Sequence, residues 1–100
     1  MNIPGSVQLL GVTVPVFVVE PKKGKKNKEL GCAYFSTKHI TLYTSVRGKQ
    51  VPDTSMQHTF FHELLHQVLD SAGYKEQNAD EQFVDVVSGL LHQALGPHMK

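Results

Sequence analysis

The feature that most constrains the fold is a change of residue pattern near position 50. Residues 7–46 are rich in Val, Ile, Phe, Tyr and Thr, and Gly11 and Pro15 interrupt the run, as is typical of strands and turns. Residues 54–70 and 78–95 instead carry apolar side chains at helical spacing. Strands followed by helices predict an α+β domain, with helices packed on one face of a small sheet.

The first half predicts about three strands in a mostly antiparallel sheet. Residues 7–20 form one strand or two short ones, and Pro15, which has no backbone N–H, indicates an edge or a bulge. Residues 31–36 and 39–46 predict two further strands joined by a tight turn. Residues 21–30 hold five of the ten basic residues and almost no apolar ones, which predicts a solvated loop.

The second half predicts two helices with identifiable ends. Thr54 and Gln57 stand at capping-box spacing, so the first helix begins there and ends before Gly73. Asn78 is expected to cap the second helix, which stops at Gly96-Pro97. The short connection between them predicts helices that pack nearly antiparallel, with the start of the second near the end of the first.

Composition limits the classes of protein to consider. A chain of 100 residues with 40% hydrophobic and 19% charged residues predicts one globular domain over residues 1–100. A net charge of +1 gives no general attraction to nucleic acid or anionic membranes. No apolar run reaches transmembrane length, no signal peptide is evident, and one cysteine excludes an internal disulfide. A cytoplasmic location is therefore expected.

The most informative motif is His62-Glu63-Leu64-Leu65-His66, an HExxH pentapeptide. Residues four apart share one face of a helix, so His62 and His66 can direct imidazole nitrogens at one ion. Two neutral imidazoles suit Zn²⁺, and Glu63 stands where it can reach a water bound to that ion. The pattern is that of zinc metalloproteases, with Glu63 as general base.

A catalytic zinc needs a third protein ligand, and two carboxylates open the second helix. Asp80 shares a helical stripe with Val84 and is predicted to face the core at least as well as Glu81. Glu81 has the longer reach and a small residue, Ser88, farther along its stripe, but it also stands at capping-box spacing from Asn78. The residues by themselves favour Glu81 and leave Asp80 open.

These motifs resemble a known family. The stretch Thr59–His66 is similar to the apolar-flanked HExxH of short phage- and prophage-associated zincin-like metallopeptidases, gluzincins related to the ImmA/IrrE group. Residues 81–85 resemble the family's Glu-led second motif, with Val84 and Ser88 at its small positions. The resemblance covers about residues 31–95. It implies a zincin-like fold and zinc ligands His62, His66 and Glu81.

Two functions follow from these expectations. The first is a zinc-dependent metallopeptidase that hydrolyses a peptide bond in a peptide or protein partner, with Glu63 as the base. The second is a non-catalytic zincin-fold module with a structural or vestigial zinc site, such as a phage-encoded inhibitor. The intact Glu63 favours the enzyme, whereas the small size of the chain favours the module.

Several other residues are candidates for lesser roles. Candidate donors to a developing oxyanion are Tyr34, His39, Tyr43 and Tyr74. The strand around residues 39–46 is the expected edge for an extended substrate, by analogy with zincins. His58 lies too far along the helix to join His62 and His66 on one ion, and Cys32 is expected to be a small packed residue. The lysines of residues 21–30 lack interleaved aromatic residues, so nucleic acid is not an expected partner.

Overall fold

The computed structural model describes residues 3–22 and 27–99. Its strands are β1 (Ser6–Leu9), β2 (Val12–Val19), β3 (Gly31–Tyr34), β4 (His39–Tyr43), β5 (Ser45–Val46) and β6 (Lys49–Gln50). Its helices are α1 (Asp53–Ala72), α2 (Lys75–Ala79) and α3 (Glu81–Leu95), followed by a 3₁₀ turn at Gly96–His98. The α+β prediction is confirmed. Residues 23–26 of the loop predicted over residues 21–30 lie outside the described residues.

The main sheet has four strands in the order β1-β2-β4-β3, and β5 pairs with β6 in a separate hairpin. β1 and β2 form an antiparallel hairpin whose turn residues, Leu10 and Gly11, both have positive φ, as a tight two-residue turn requires. β3 and β4 are also antiparallel, but β2 and β4 run parallel. The sheet is mostly antiparallel, as predicted, and residues 7–20 form two strands, the second of the two alternatives that the sequence left open; the parallel pair of β2 and β4 was not predicted.

Pro15 lies in the half of β2 that pairs with β1 alone, so this half is an edge on the side of β4, as predicted, although β2 as a whole is an interior strand. β2 pairs with β1 on one side and β4 on the other. Pro15 is tolerated because the parallel ladder with β4 begins only at the next residue, Val16, which pairs with Ile40. The N–H of Val16 donates to the carbonyl of Gly5 on the other side of β2.

The ends of the helices differ from the capping predictions. α1 begins after Pro52 without a side-chain cap, and Gln57 is buried, where its amide contacts His92 and the carbonyl of Gly96 instead of the helix start. α1 ends as predicted at Gly73, which adopts the left-handed conformation. No helix within the described residues has the length and apolar character needed to cross a bilayer.

The second predicted helix begins later than expected. The predicted loop at residues 74–77 is largely helical, because α2 occupies Lys75–Ala79. Asp80, not Asn78, caps α3: its side chain accepts a hydrogen bond from the N–H of Phe83 at 3.1 Å. Asn78 is thereby left to make a different contact, described below.

Two apolar clusters fix the position of α1. The larger lies between the sheet and the first half of α1 and contains Val14, Val16, Ile40, Leu42, Val51, Met56, Phe60 and Phe61. The smaller packs Leu65 and Leu69 of α1 against Val84 of α3, with Val87 beside them. Because Val84 lies only three residues after the start of α3, the second cluster holds the beginning of α3 against the second half of α1.

Candidate metal centre

The two histidines of the HExxH motif lie on one face of α1, as their spacing predicts. Their ring centroids are 4.9 Å apart, and both side chains are mostly buried. Leu65, between them in sequence, points into the cluster with α3, which orients the histidines along the edge of that interface. Local helical geometry and helix packing therefore act together to place the two imidazoles.

Glu81 completes a group of three potential ligands. One carboxylate oxygen lies 3.2 Å from Nε2 of His66 and the other 3.4 Å from Nε2 of His62. A ligand atom from each of the three residues lies within 4.8 Å of the others, and in the part of the chain that the structure describes this is the one such group. Asp80 is not a member, because its carboxylate caps α3. Of the two candidates for third ligand, the structure brings only Glu81 to the histidines.

Each imidazole also has an oxygen partner on its other nitrogen. Asp85 Oδ1 lies 3.0 Å from Nδ1 of His62, and Asn78 Oδ1 lies 2.6 Å from Nδ1 of His66. Since both oxygens accept, each neutral ring carries its proton on Nδ1 and presents the lone pair of Nε2 to Glu81. Partners of this kind fix the tautomer and orientation of metal-binding histidines.

Asn78 and Asp85 were not predicted to contact the histidines. Asp85 follows Glu81 by four residues, so the two share one face of α3 just as the histidines share a face of α1. That spacing was a usable signal. Asn78 offers no such signal, because its contact depends on the short helix α2, which sequence analysis took for a loop.

The donor set fits a zinc ion. Two Nε2 lone pairs and a carboxylate converge on one point, and these groups repel one another with neutral imidazoles unless a cation lies between them. Two histidines and one glutamate are a known ligand set for catalytic zinc, which leaves the fourth position of the tetrahedron for water or substrate. The three side chains come from two helices, so an ion bound here would also join α1 to α3.

Glu63 lies beside the group but not in it. Burial raises the pKa of Glu63 above its ordinary value, the imidazoles of His62 and His66 oppose the rise, and the Glu81 carboxylate adds to it. The nearby backbone N–H of Ala33 in β3 tends to lower the pKa of this half-buried carboxylate. Glu63 is thus a carboxylate held at the side of the ligand group, with an increased affinity for a proton.

Three of the candidate oxyanion donors face away from this group. Gly31 is close to Thr59 of α1, so by strand alternation Tyr34 lies on the opposite face of the sheet. There its ring stacks on His39 at 4.4 Å. Tyr43 is on this outer face too, because it alternates with the buried Leu42. The assignment of Tyr74, which is exposed at the start of α2, stays a prediction.

Cys32 belongs to the same outer face, where it contacts Tyr34. Burial raises the pKa of the Cys32 thiol, and a hydrogen bond with Tyr34 opposes that rise. Nearby Cys32 and Tyr43 in turn raise the pKa of Tyr34 to about 12. Cys32 is not one of the three grouped ligands.

The edge strand beside α1 is β3, not the predicted β4. β4 is an interior strand with β2 on one side and β3 on the other. The carbonyl of Leu30 accepts from the N–H of Tyr43, which sets the alternation along β3. The backbone polar groups of Gly31 and Ala33 are consequently turned toward the free edge. The position of the N–H of Ala33 near the carboxylate of Glu63 agrees with this orientation.

A cleft of about 420 Å³ opens next to Glu63. It lies between the start of β3, the middle of α1 and the first half of α3, and His58 lines it. On the other side of the ligand group, the ring of Phe35 stands 6.4 Å from that of His66. Sequence analysis placed Phe35 in the strand predicted over residues 31–36, whereas β3 ends at Tyr34.

The chain was also compared with known proteins. No family model, no curated protein and no solved structure matches it.

Proposed function

We propose that this protein is a zinc-dependent peptidase that cuts a peptide or an extended segment of a protein partner. One observation carries the proposal: His62, His66 and Glu81 converge, while Glu63 stands beside them as a carboxylate that takes no part in the group. A structural site needs the three ligands but has no use for a further carboxylate beside them. The resemblance to short zincin-like metallopeptidases agrees with this proposal and stays a prediction.

The residues of the chain divide the chemistry between them. When bound, Zn²⁺ supplies a Lewis acid that polarises a carbonyl group and makes a coordinated water more acidic. Glu63 accepts the proton of the attacking water at its carboxylate and then delivers it to the leaving nitrogen. One carboxylate serves both steps, because the group that has accepted the proton of water can then donate it. Asp85 and Asn78 keep the imidazoles in the tautomer that binds metal.

The free edge of β3 is the surface best suited to hold an extended peptide. Gly31 and Ala33 turn backbone polar groups toward this edge, and Ala33 is already in contact with Glu63. A peptide added as a further strand would therefore pass directly over the catalytic carboxylate. This replaces the strand at residues 39–46, which the sheet order makes inaccessible on both sides.

A non-catalytic zinc module is the second candidate function, and one observation favours it. The three ligands span α1 and α3, so a bound ion would join the two helices whether or not any reaction follows. In that case metal binding stabilises the domain and Glu63 has no essential role. The two candidates therefore differ in what they predict for changes at Glu63.

The first test is the metal content of the purified protein, with Glu81→Ala beside its matched control Asp80→Ala. We expect about one zinc ion per chain in the wild type and in Asp80→Ala, and little in Glu81→Ala, because only Glu81 reaches both imidazoles. Asp80→Ala should only weaken the cap of α3, at a cost of about 1 kcal/mol. A wild type that binds no zinc, even when zinc is supplied, would exclude both candidate functions.

The second test separates the peptidase from the module. Glu63→Gln should retain zinc and lose hydrolysis of a mixed peptide library by about 10²- to 10⁴-fold, since the amide cannot accept the proton of water. The matched control is Glu76→Gln, at an exposed position on α2. Undiminished cleavage by Glu63→Gln would remove Glu63 as the base, and zinc binding without cleavage of any peptide by the wild type would favour the module.

A further inference from the structure

The cleft beside Glu63 has the size and position of a pocket for a substrate side chain. Its volume of about 420 Å³ is within the range of ligand pockets in proteins and exceeds what a few water molecules need. Gly31 lies on one wall and Glu63 on another. A peptide paired with the free edge of β3 would thus place the side chain of a residue next to the scissile bond into this cleft.

The lower part of the cleft suits an unbranched apolar stem. Leu30 and Gly31 form the wall on the side of β3, and Thr59 forms part of the floor on α1. The hydroxyl of Thr59 donates to the carbonyl of Ser55 at 2.9 Å, so that this residue offers chiefly its methyl group. That methyl would lie only 2.9 Å from a Cβ at Gly31, so β3 and α1 approach each other closely at this point.

The charged groups around the cleft are acidic. Glu29 stands on the side of β3 and Asp85 on the side of α3, and both side chains are exposed. Asp85 contacts His62 through one oxygen and has a second oxygen to offer. The cleft is also lined by two histidines, His58 and His62, and no lysine or arginine is among its lining residues.

We propose that this cleft binds an arginine or lysine side chain of the substrate, next to the bond that is cut, with Glu29 as the specificity-determining residue. The inference rests on the proposed function for its biological meaning, but the binding itself does not require catalysis. A long cationic side chain matches the cleft because its stem is apolar and its head seeks carboxylates at the rim. An acidic side chain would be repelled there, and an aromatic one would cover the carboxylates without pairing them.

The test compares two small molecules of the same shape and different charge. N-acetyl-arginine amide and N-acetyl-citrulline amide are titrated into the full-length protein while the backbone amide signals are followed by NMR. We expect the arginine compound to bind roughly three- to tenfold more tightly, the range of one or two partly exposed charge pairs, with the largest shifts at Leu30, Gly31 and Thr59. In Glu29→Gln the difference should fall to about twofold or less.

Two controls make the result decisive. Gln77→Glu adds an exposed carboxylate on α2 and should not change the preference, whereas an unspecific charge effect would increase it. Equal binding of both compounds, no binding of either, or shifts centred away from the cleft would each overturn the inference. Glu29 is exposed, so its change to Gln is not expected to impair folding.

The proposed function is tested separately, by cleavage of a peptide library with the zinc-loaded wild type. Cleavage without enrichment of arginine or lysine beside the cut bond would leave the peptidase and remove this pocket assignment. Preferential binding of the arginine compound by a protein that cleaves no peptide would support the pocket assignment and remove the peptidase. The two failures therefore give different results.

Discussion

The most informative single change is Asp85→Ala, because it removes the partner of His62 without touching a ligand. Asp85 contributes a carboxylate oxygen 3.0 Å from Nδ1 of His62, and its side chain is 66% exposed. Loss of such a partner weakens metal affinity by about 10- to 100-fold, which corresponds to about 1.4–2.8 kcal/mol. The same change in an exposed helical residue alters the stability of the metal-free protein by only about 0.5 kcal/mol.

The expected result is therefore a difference between two unfolding experiments. With zinc buffered above the dissociation constants of both proteins, Asp85→Ala should lose about 1.4–2.8 kcal/mol of unfolding free energy relative to the wild type, since the ion stabilises the folded state in proportion to the logarithm of its affinity. With a chelator present, the two proteins should unfold almost together. Competition with a zinc-binding dye measures the same loss directly as a dissociation constant.

Glu76→Ala is the matched control, because it removes an exposed carboxylate of α2 and changes the net charge equally. It should leave both zinc affinity and stability close to those of the wild type. Two outcomes would refute the reasoning. An unchanged zinc affinity in Asp85→Ala would mean that this contact does not orient His62, and an equal loss of stability with and without zinc would mean that it only supports the fold.

Two further predictions concern the sheet that carries the edge strand. A Cβ at Gly31 would lie 2.8 Å from the carbonyl oxygen of Thr41, so Gly31→Ala should destabilise the protein by about 1–3 kcal/mol in urea unfolding. The control is Gly89→Ala within α3, where the added Cβ would make an ordinary van der Waals contact and the protein should become more stable by about 0.5–1 kcal/mol. An equal change of stability in the two variants would contradict the packing described for Gly31. The pKa of Tyr34 is raised, first of all by nearby Cys32, so the folded state holds the phenol proton more tightly than the unfolded state does. The free energy of unfolding should therefore fall as the pH rises from about 10 to about 12, and Tyr34→Phe should make this fall smaller. An unchanged alkaline stability profile in Tyr34→Phe would refute the raised pKa.

Much of the helical half could be predicted because its signals are local. The spacing of His62 and His66 is a property of one helix, so it placed both imidazoles on one face irrespective of the rest of the fold. Gly73 ends α1 because a left-handed residue is needed there, and glycine adopts that conformation without strain. Asn78 and Asp80 were harder to assign, because both are good capping residues and only the presence of α2 decides between them.

The sheet could be predicted only in part. The positions of the strands are visible as β-branched runs, and the alternation that buries Ile40 and Leu42 is also local. Which strands become neighbours depends on contacts between distant segments, and a parallel pair leaves no turn signature in the sequence. The edge strand beside α1 was therefore predicted to be β4, whereas in the structure it is β3.

The sequence by itself determined that this chain has strands before helices and that one helix offers two histidines and a glutamate at the spacing of a metal site. It narrowed the third ligand to two neighbouring residues but could not choose, because Asp80 and Glu81 are adjacent and both acidic. Tertiary structure decided the rest: packing of Val84 on α1 turns Glu81 to the imidazoles, while Asp80 caps α3. The physical reason is that helical spacing is fixed within a few residues, whereas the meeting of α1, α3 and β3 depends on side chains far apart in the chain.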